Sequence, residues 1–198
     1  MQLEARNLSF RYGKGPLIIN NLNLELKSGE ILGLSGPSGC GKTTLAKILS
    51  GYELPQGGSV KIDGKSIPSK GFNPVQLIFQ HPEKAVNPRW QMKKTLNEGW
   101  SPDNELLDSL GIEKAWLKRW PNELSGGELQ RFCVAKALSP KTRFLIADEI
   151  TTMLDAITQA QIWNVVLNKA RENNIGVLVV SHDQHLINRL CDRVFIGK

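Results

Sequence analysis

Residues 36–43 read Gly-Pro-Ser-Gly-Cys-Gly-Lys-Thr, a run in which three glycines are closed by a lysine and a hydroxyl. That spacing, Gly-x-x-x-x-Gly-Lys-Thr, suits one kind of chemistry. Gly36, Gly39 and Gly41 let backbone N–H groups turn inward around phosphate oxygens, and a helix starting at Lys42 aims its positive end at the same point. Lys42 would reach the β and γ phosphates, and Thr43 would hold Mg²⁺. Ser38, Cys40 and Thr44 complete the phosphate-facing set. The competing reading is an ordinary glycine-rich strand–helix turn. The apolar run Ile31–Ser35 before it and the helical pattern Lys42–Gly51 after it are what a phosphate loop needs.

Two further stretches carry chemistry. In Phe144–Glu149, four apolar or small residues lead to Asp148 and Glu149. Asp148 at the end of a buried strand would orient the Mg²⁺, and Glu149 would polarise an attacking water as general base. Alone, the pair would read as two acids at a strand end; with the phosphate loop upstream it gains a purpose. In Asn122–Phe132, Ser125 and Glu128 form a capping box, Ser-x-x-Glu, before a helical run. The box does not explain Gly126 and Gly127 in the first helical turn, where glycine costs about 1 kcal/mol each. Bare backbone there suits the close approach of an anion.

These residues need elements to hold them. Residues 2–12 and 17–30 alternate apolar and polar positions and predict antiparallel, half-buried strands. Residues 59–67 predict a hairpin around Asp63-Gly64. Residues 74–80, 143–149 and 175–183 predict buried strands, with helices over 127–138, 156–174 and 184–191 and a last strand over 192–197. Strands alternating with helices predict an α/β core with a mostly parallel sheet. Between His81 and Asn122 the composition shifts to Trp, Pro, Lys and short helical patterns, as expected of an inserted helical subdomain.

The 198 residues suit one domain, with 40% hydrophobic and 22% charged residues. No stretch approaches the roughly 20 apolar residues of a membrane span, and the start lacks a signal-peptide layout. Cys40, Cys133 and Cys191 are too scattered for a disulfide framework or zinc site. A net charge of +6 raises the question of nucleic acid, but the basic residues are dispersed and lack interleaved aromatics, so no nucleic-acid partner is expected.

Leu124–Glu128, Leu-Ser-Gly-Gly-Glu, resembles the signature motif of the ATP-binding cassette (ABC) ATPases, usually Leu-Ser-Gly-Gly-Gln. The rest of that family's set follows in order along nearly the whole chain. Tyr12 matches the aromatic that stacks on adenine, and Gln80 the glutamine that touches Mg²⁺ and senses the membrane partner. Asp155 matches an aspartate in the loop after the two acids, and His182 a histidine contacting the γ-phosphate. Taken singly, Tyr12 reads as core and His182 as a strand-end histidine. The resemblance implies an α/β P-loop NTPase core, an N-terminal antiparallel β subdomain and a helical subdomain over about 81–137, in one ABC domain spanning 1–198. It implies ATP and Mg²⁺ as cofactors, and catalysis by Glu149, His182, Gln80 and Lys42. Thr43, Gln80 and Asp148 are implied as the metal site. It also implies a head-to-tail pair of cassettes in which Ser125, Gly126, Gly127 and Glu128 act on the partner's ATP. Glu128, Ile150, Thr152 and Met153 depart from the usual pattern.

Residues 79–92 and 148–163 look like the ATPases of nickel and di- or oligopeptide importers. That implies two membrane permease subunits, a second ATPase (a paralogue or a second copy), an extracytoplasmic binding protein acting indirectly, and a peripheral place on the cytoplasmic face. Trp90, Trp100, Trp116 and Trp120 either fill the helical subdomain or form part of the permease-docking groove. The group usually continues past a segment like Asp192–Lys198 with a further strand and tail, which are not seen here. A soluble single cassette serving cofactor assembly or phosphonate metabolism is the alternative.

Overall fold

The computed structural model describes residues 1–152 and 154–196. Met153, one of the departures noted above, lies outside the described residues, as do Gly197, the end of the last expected strand, and Lys198.

The chain opens with β1 (Gln2–Phe10), β2 (Ile19–Lys27), β3 (Ile31–Ser35) and α1 (Lys42–Leu49). Then come β4 (Gly57–Ile62), β5 (Lys65–Ser66), β6 (Val75–Ile78), α2 (Met92–Leu96), α3 (Asn104–Ser109) and α4 (Gly126–Ala137). It closes with β7 (Phe144–Asp148), α5 (Ala156–Glu172), β8 (Gly176–Val180), α6 (Gln184–Leu190) and β9 (Arg193–Ile196). The strands, α1 and α4 to α6 fall on stretches whose patterns predicted them, while α2 and α3 lie in the region expected only to hold short helical patterns. The described chain forms two compact units, one of residues 1–77, 142–148 and 174 onward, the other of residues 78–141 and 149–173.

The first unit holds two sheets. One has the order β2-β1-β4-β5, with β1 antiparallel to both β2 and β4. The alternation read in the sequence becomes a one-sided core: Leu3, Ala5, Leu8, Leu24 and Leu26 are buried. The Asp63-Gly64 turn joins β4 to β5, with both residues at positive φ. The other sheet has the order β6-β7-β8-β3-β9. β8 runs parallel to β7 and β3, and β3 parallel to β9. Every residue of β7 and β8 is buried, as continuous apolar runs in a parallel sheet require. Each such Val, Leu or Ile contributes about 1.5–3 kcal/mol by leaving water.

The second unit is helical. α4 buries Leu129, Phe132, Cys133, Val134 and Ala135, and α5 buries Ile162, Trp163, Val166 and Ala170. Asp155 caps α5 by accepting hydrogen bonds from the Ile157 and Thr158 amides, both at 3.0 Å. The tryptophans differ in burial. Trp116 is buried, and the Trp100 indole donates to the Lys136 carbonyl at 2.9 Å. Trp90 lies beneath the Lys94 ammonium, 4.2 Å from the ring centre, while Trp120 is 42% exposed.

Candidate functional site

In the first unit, strand register gathers the expected residues at one edge of a sheet. Leu34 of β3 and Asp148 of β7 both lie opposite Val180 of β8. The glycine loop leaves β3 just after Leu34, His182 follows β8, and Asp148 ends β7, so three neighbouring strands deliver their chemistry at their carboxyl ends. That is where open parallel sheets hold ligands. Asp148 is 2% exposed, a depth at which a carboxylate needs opposing charge or hydrogen bonds. His182 is exposed, between Ser181 and Asp183.

The loop itself has the shape of a phosphate cradle. Gly39 and Gly41 have φ of 81° and 94°, the left-handed region that side chains resist. A Cβ at Gly41 would lie 2.7 Å from the Ile18 side chain. The buried Lys42 folds back over the loop, its ammonium donating to the carbonyls of Gly36 at 2.8 Å and Pro37 at 3.0 Å. Thr43 is exposed in the first turn of α1, and Thr44 is buried behind it. A cavity of about 610 Å³ adjoins the loop, lined by Leu17, Ile18, Asn20, Cys40, Gly41 and Lys42 among others. Tyr12 does not line it; this residue is half exposed and packs edge-on to Phe10 with ring centres 4.9 Å apart.

The donor set fits a magnesium nucleotide. The loop supplies bare amides and an ammonium for phosphates, while Thr43 and Asp148 supply the hard oxygens this cation takes. Magnesium is typically held by one or two carboxylates together with substrate phosphates. Among the described residues no cluster of three or more His, Cys, Asp or Glu side chains forms a protein-only metal cage.

The second unit brings together Gln80, Glu149 and the Ser-Gly-Gly-Glu turn. The Gln80 amide donates to the Glu149 carboxylate at 3.0 Å. Glu149 has φ of 49°, unusual for a residue with a side chain. Its carbonyl accepts from the Thr152 hydroxyl at 3.0 Å. The capping box is complete. The Ser125 hydroxyl accepts from the Glu128 amide at 3.2 Å, and the Glu128 carboxylate accepts from the Ser125 amide at 2.6 Å. A Cβ on Gly126 would meet nothing within 4 Å, whereas one on Gly127 would press on Leu154 at 3.1 Å. A pocket of about 260 Å³ opens among Gln80, Ser125, Gly126, Gly127 and Glu149. The hydrogen bonds capping α5 hold the Asp155 carboxyl below the usual range, those to Thr158 most.

The partners of two arginines escaped the sequence reading. Arg131, three residues past Glu128 on α4, donates to the Leu110 carbonyl, to Gln161 at 2.8 Å and to Thr158 at 3.3 Å. It thereby ties α4 to the first turns of α5. Arg119 places Nη1 3.9 Å from the Glu128 carboxylate. Its nine-residue separation from Glu128 follows no helical spacing, so periodicity gave no signal.

The sequence model of the ABC transporter family matches residues 19–152. The nickel import ATP-binding protein NikE of Shigella boydii is 33% identical, over 98% of this chain and 82% of its own length. The nickel import system ATP-binding protein NikE of Staphylococcus aureus is 34% identical, over 99% and 86%. Among solved structures, a dimeric bacterial ABC transporter cassette aligns with a TM-score of 0.82 at 25% identity, over 99% of this chain and 94% of that one. A dimeric cassette in a post-hydrolysis state bound to ADP and Pi aligns at 0.83 with 24% identity, over 99% and 94%, a likeness of fold. The glycine loop, the paired acids and the Ser-Gly-Gly-Glu turn thus sit in a chain that belongs to the ABC transporter family as one of its ATP-binding proteins.

Proposed function

We propose that this chain binds and hydrolyses ATP to power a membrane importer, with nickel, cobalt or a metal–chelator complex as cargo and a short peptide as the other candidate. One observation carries the ATPase half of the reading: β3, β7 and β8 bring the glycine loop, Asp148 and His182 to one sheet edge in a shared register. The importer half rests on whole-length similarity to proteins named for nickel import. We read the chain as one ABC domain with a helical insertion at about 81–137.

In this reading the loop amides from Gly36 to Gly41, with Thr44, grip the phosphates, and Lys42 exchanges its two carbonyl contacts for phosphate oxygens. Tyr12 stacks on the base. Thr43, Asp148 and Gln80 would hold magnesium, which would offset the charge of the phosphates. Glu149 takes the proton of the attacking water, and His182 orients the terminal phosphate. Ser125, Gly126, Gly127, Glu128 and Asp155 face the ATP of a head-to-tail partner cassette, a second copy or a paralogue. ATP binds the paired state better than the separated one, and that difference drives the cycle. Two permease subunits receive the motion at the cytoplasmic face, and an extracytoplasmic binding protein delivers the cargo.

Purification of the tagged chain from its own cells in mild detergent tests this. Recovery with two membrane permeases is expected, and the attached system narrows the cargo. Recovery without any membrane protein, as an active ATPase, would replace the importer reading with a soluble cassette of cofactor assembly or phosphonate metabolism.

A further inference from the structure

Glu128 sits badly for an anion-receiving turn. It is the third residue of α4, and its carboxylate reaches back to the amide of Ser125, the residue that caps the helix just before Gly126 and Gly127. An incoming triphosphate carries the same sign, so an unbalanced carboxylate there would repel it. The structure supplies the balance. One oxygen of Glu128 accepts the Ser125 amide at 2.6 Å, and the other faces Arg119 Nη1 at 3.9 Å. The main chain of Arg119 is fixed on both sides: its amide donates to the Trp116 carbonyl at 3.0 Å, and its carbonyl accepts the Met92 amide at 2.9 Å. The guanidinium is thus presented from an anchored turn rather than from a loose loop. The nearby Glu123 carboxylate is engaged by the Trp120 amide at 2.7 Å. The rim stays open, because Gly126 is exposed and a Cβ there meets nothing within 4 Å.

We propose that Arg119 is a positioning residue that neutralises Glu128, and so keeps the start of α4 able to receive the terminal phosphate of ATP held by a second copy of this chain. The inference rests on the head-to-tail pairing proposed above. With Arg119 present the rim meets the triphosphate with charges that cancel. Without it a full negative charge remains at the point of approach. The effect is electrostatic at the rim of an interface, so it changes ATP-driven association several-fold and is weakened by salt. It also gives the pair a joint character: either both charges are present or neither is needed.

The test uses the full chain carrying Glu149→Gln to block turnover, and reads the ATP concentration that half-saturates self-association in sedimentation. Arg119→Ala is expected to raise that concentration about threefold to tenfold. Arg119→Lys restores most of it, and about 0.5 M salt removes most of the difference. In a Glu128→Gln background, Arg119→Ala shifts it by less than about twofold, because no carboxylate remains to neutralise. Binding of a fluorescent ATP analogue to the monomer is unchanged throughout. A penalty equal in both backgrounds, or none in either, overturns the inference while the pairing stands. A Glu149→Gln parent that binds ATP but never self-associates overturns self-pairing and this inference together.

Discussion

Gln80 donates its side-chain amide to the Glu149 carboxylate at 3.0 Å, joining residues 69 positions apart in the chain. The bond holds the Glu149 carboxylate in one orientation, as the proposed base role requires before water arrives. Glu149→Gln is expected to bind ATP normally and to lose about a hundredfold or more in kcat. Hydrolysis at the parent rate would remove Glu149 from the base role. Gln80→Ala leaves the base present but removes this constraint on its orientation, so kcat falls less, by about tenfold.

The glycine loop tolerates no side chain at Gly41. At φ of 94° an added Cβ would lie 2.7 Å from Ile18. Gly41→Ala is expected to cost about 1–3 kcal/mol of stability and to weaken ATP binding along with it. Thermal melting with and without ATP measures both. A variant with unchanged melting and unchanged ATP stabilisation would show that the loop adapts.

The three thiols should differ in reactivity. Burial pushes Cys133 up to about 12 and Cys191 up to about 11, so neither forms thiolate near pH 8. Cys40 is partly exposed in the phosphate loop. Alkylation at pH 8 followed by peptide mapping should label Cys40 first, and ATP should slow it. The buried thiols also set a pH dependence. Above the ordinary thiol value of about 8.5 the unfolded chain loses these protons while the folded chain keeps them, so stability falls as pH rises from there. Melting temperature should therefore drop between about pH 8.5 and 11, and substitution of Cys133 should flatten part of that slope.

Asp155 works in the opposite direction. Its carboxyl is held low by the hydrogen bonds that cap α5. The stabilisation is complete above the unfolded value of about 3.9 and is lost as pH falls through the lower folded value. Asp155→Asn keeps an acceptor for the cap and should melt near the parent at neutral pH, with less loss in acid. Asp155→Ala should melt lower at neutral pH. Equal melting of all three would show that the cap contributes nothing measurable.

Most of the fold was legible because its signals are local. The alternation in β1 and β2 and the apolar runs of β7 and β8 each reflect a single strand's surroundings. So does the periodicity of α5 behind Asp155. The glycine loop was legible because the spacing from Gly36 to Thr43 is local to one turn. What stayed hidden depends on distant partners. The Gln80–Glu149 bond and the Arg131 links to Leu110 and Gln161 need the folded second unit. So does the Arg119–Glu128 pair, which joins an irregular turn to a helix. The fate of each tryptophan was hidden for the same reason: Trp116 and Trp120 lie four residues apart, yet one is buried and the other is 42% exposed.

The shared alignment of Leu34 and Asp148 on Val180 makes the sheet a ruler for the chemistry at its edge. Exchanging one branched apolar residue for another inside β7 or β8 leaves the ruler's length unchanged, so its cost is one of packing alone. Inserting or deleting a single residue is another matter. It would slide His182 or Asp148 by about 3.3 Å and turn it to the opposite face. The site at this edge is therefore more sensitive to strand length than to which apolar residues fill the strands.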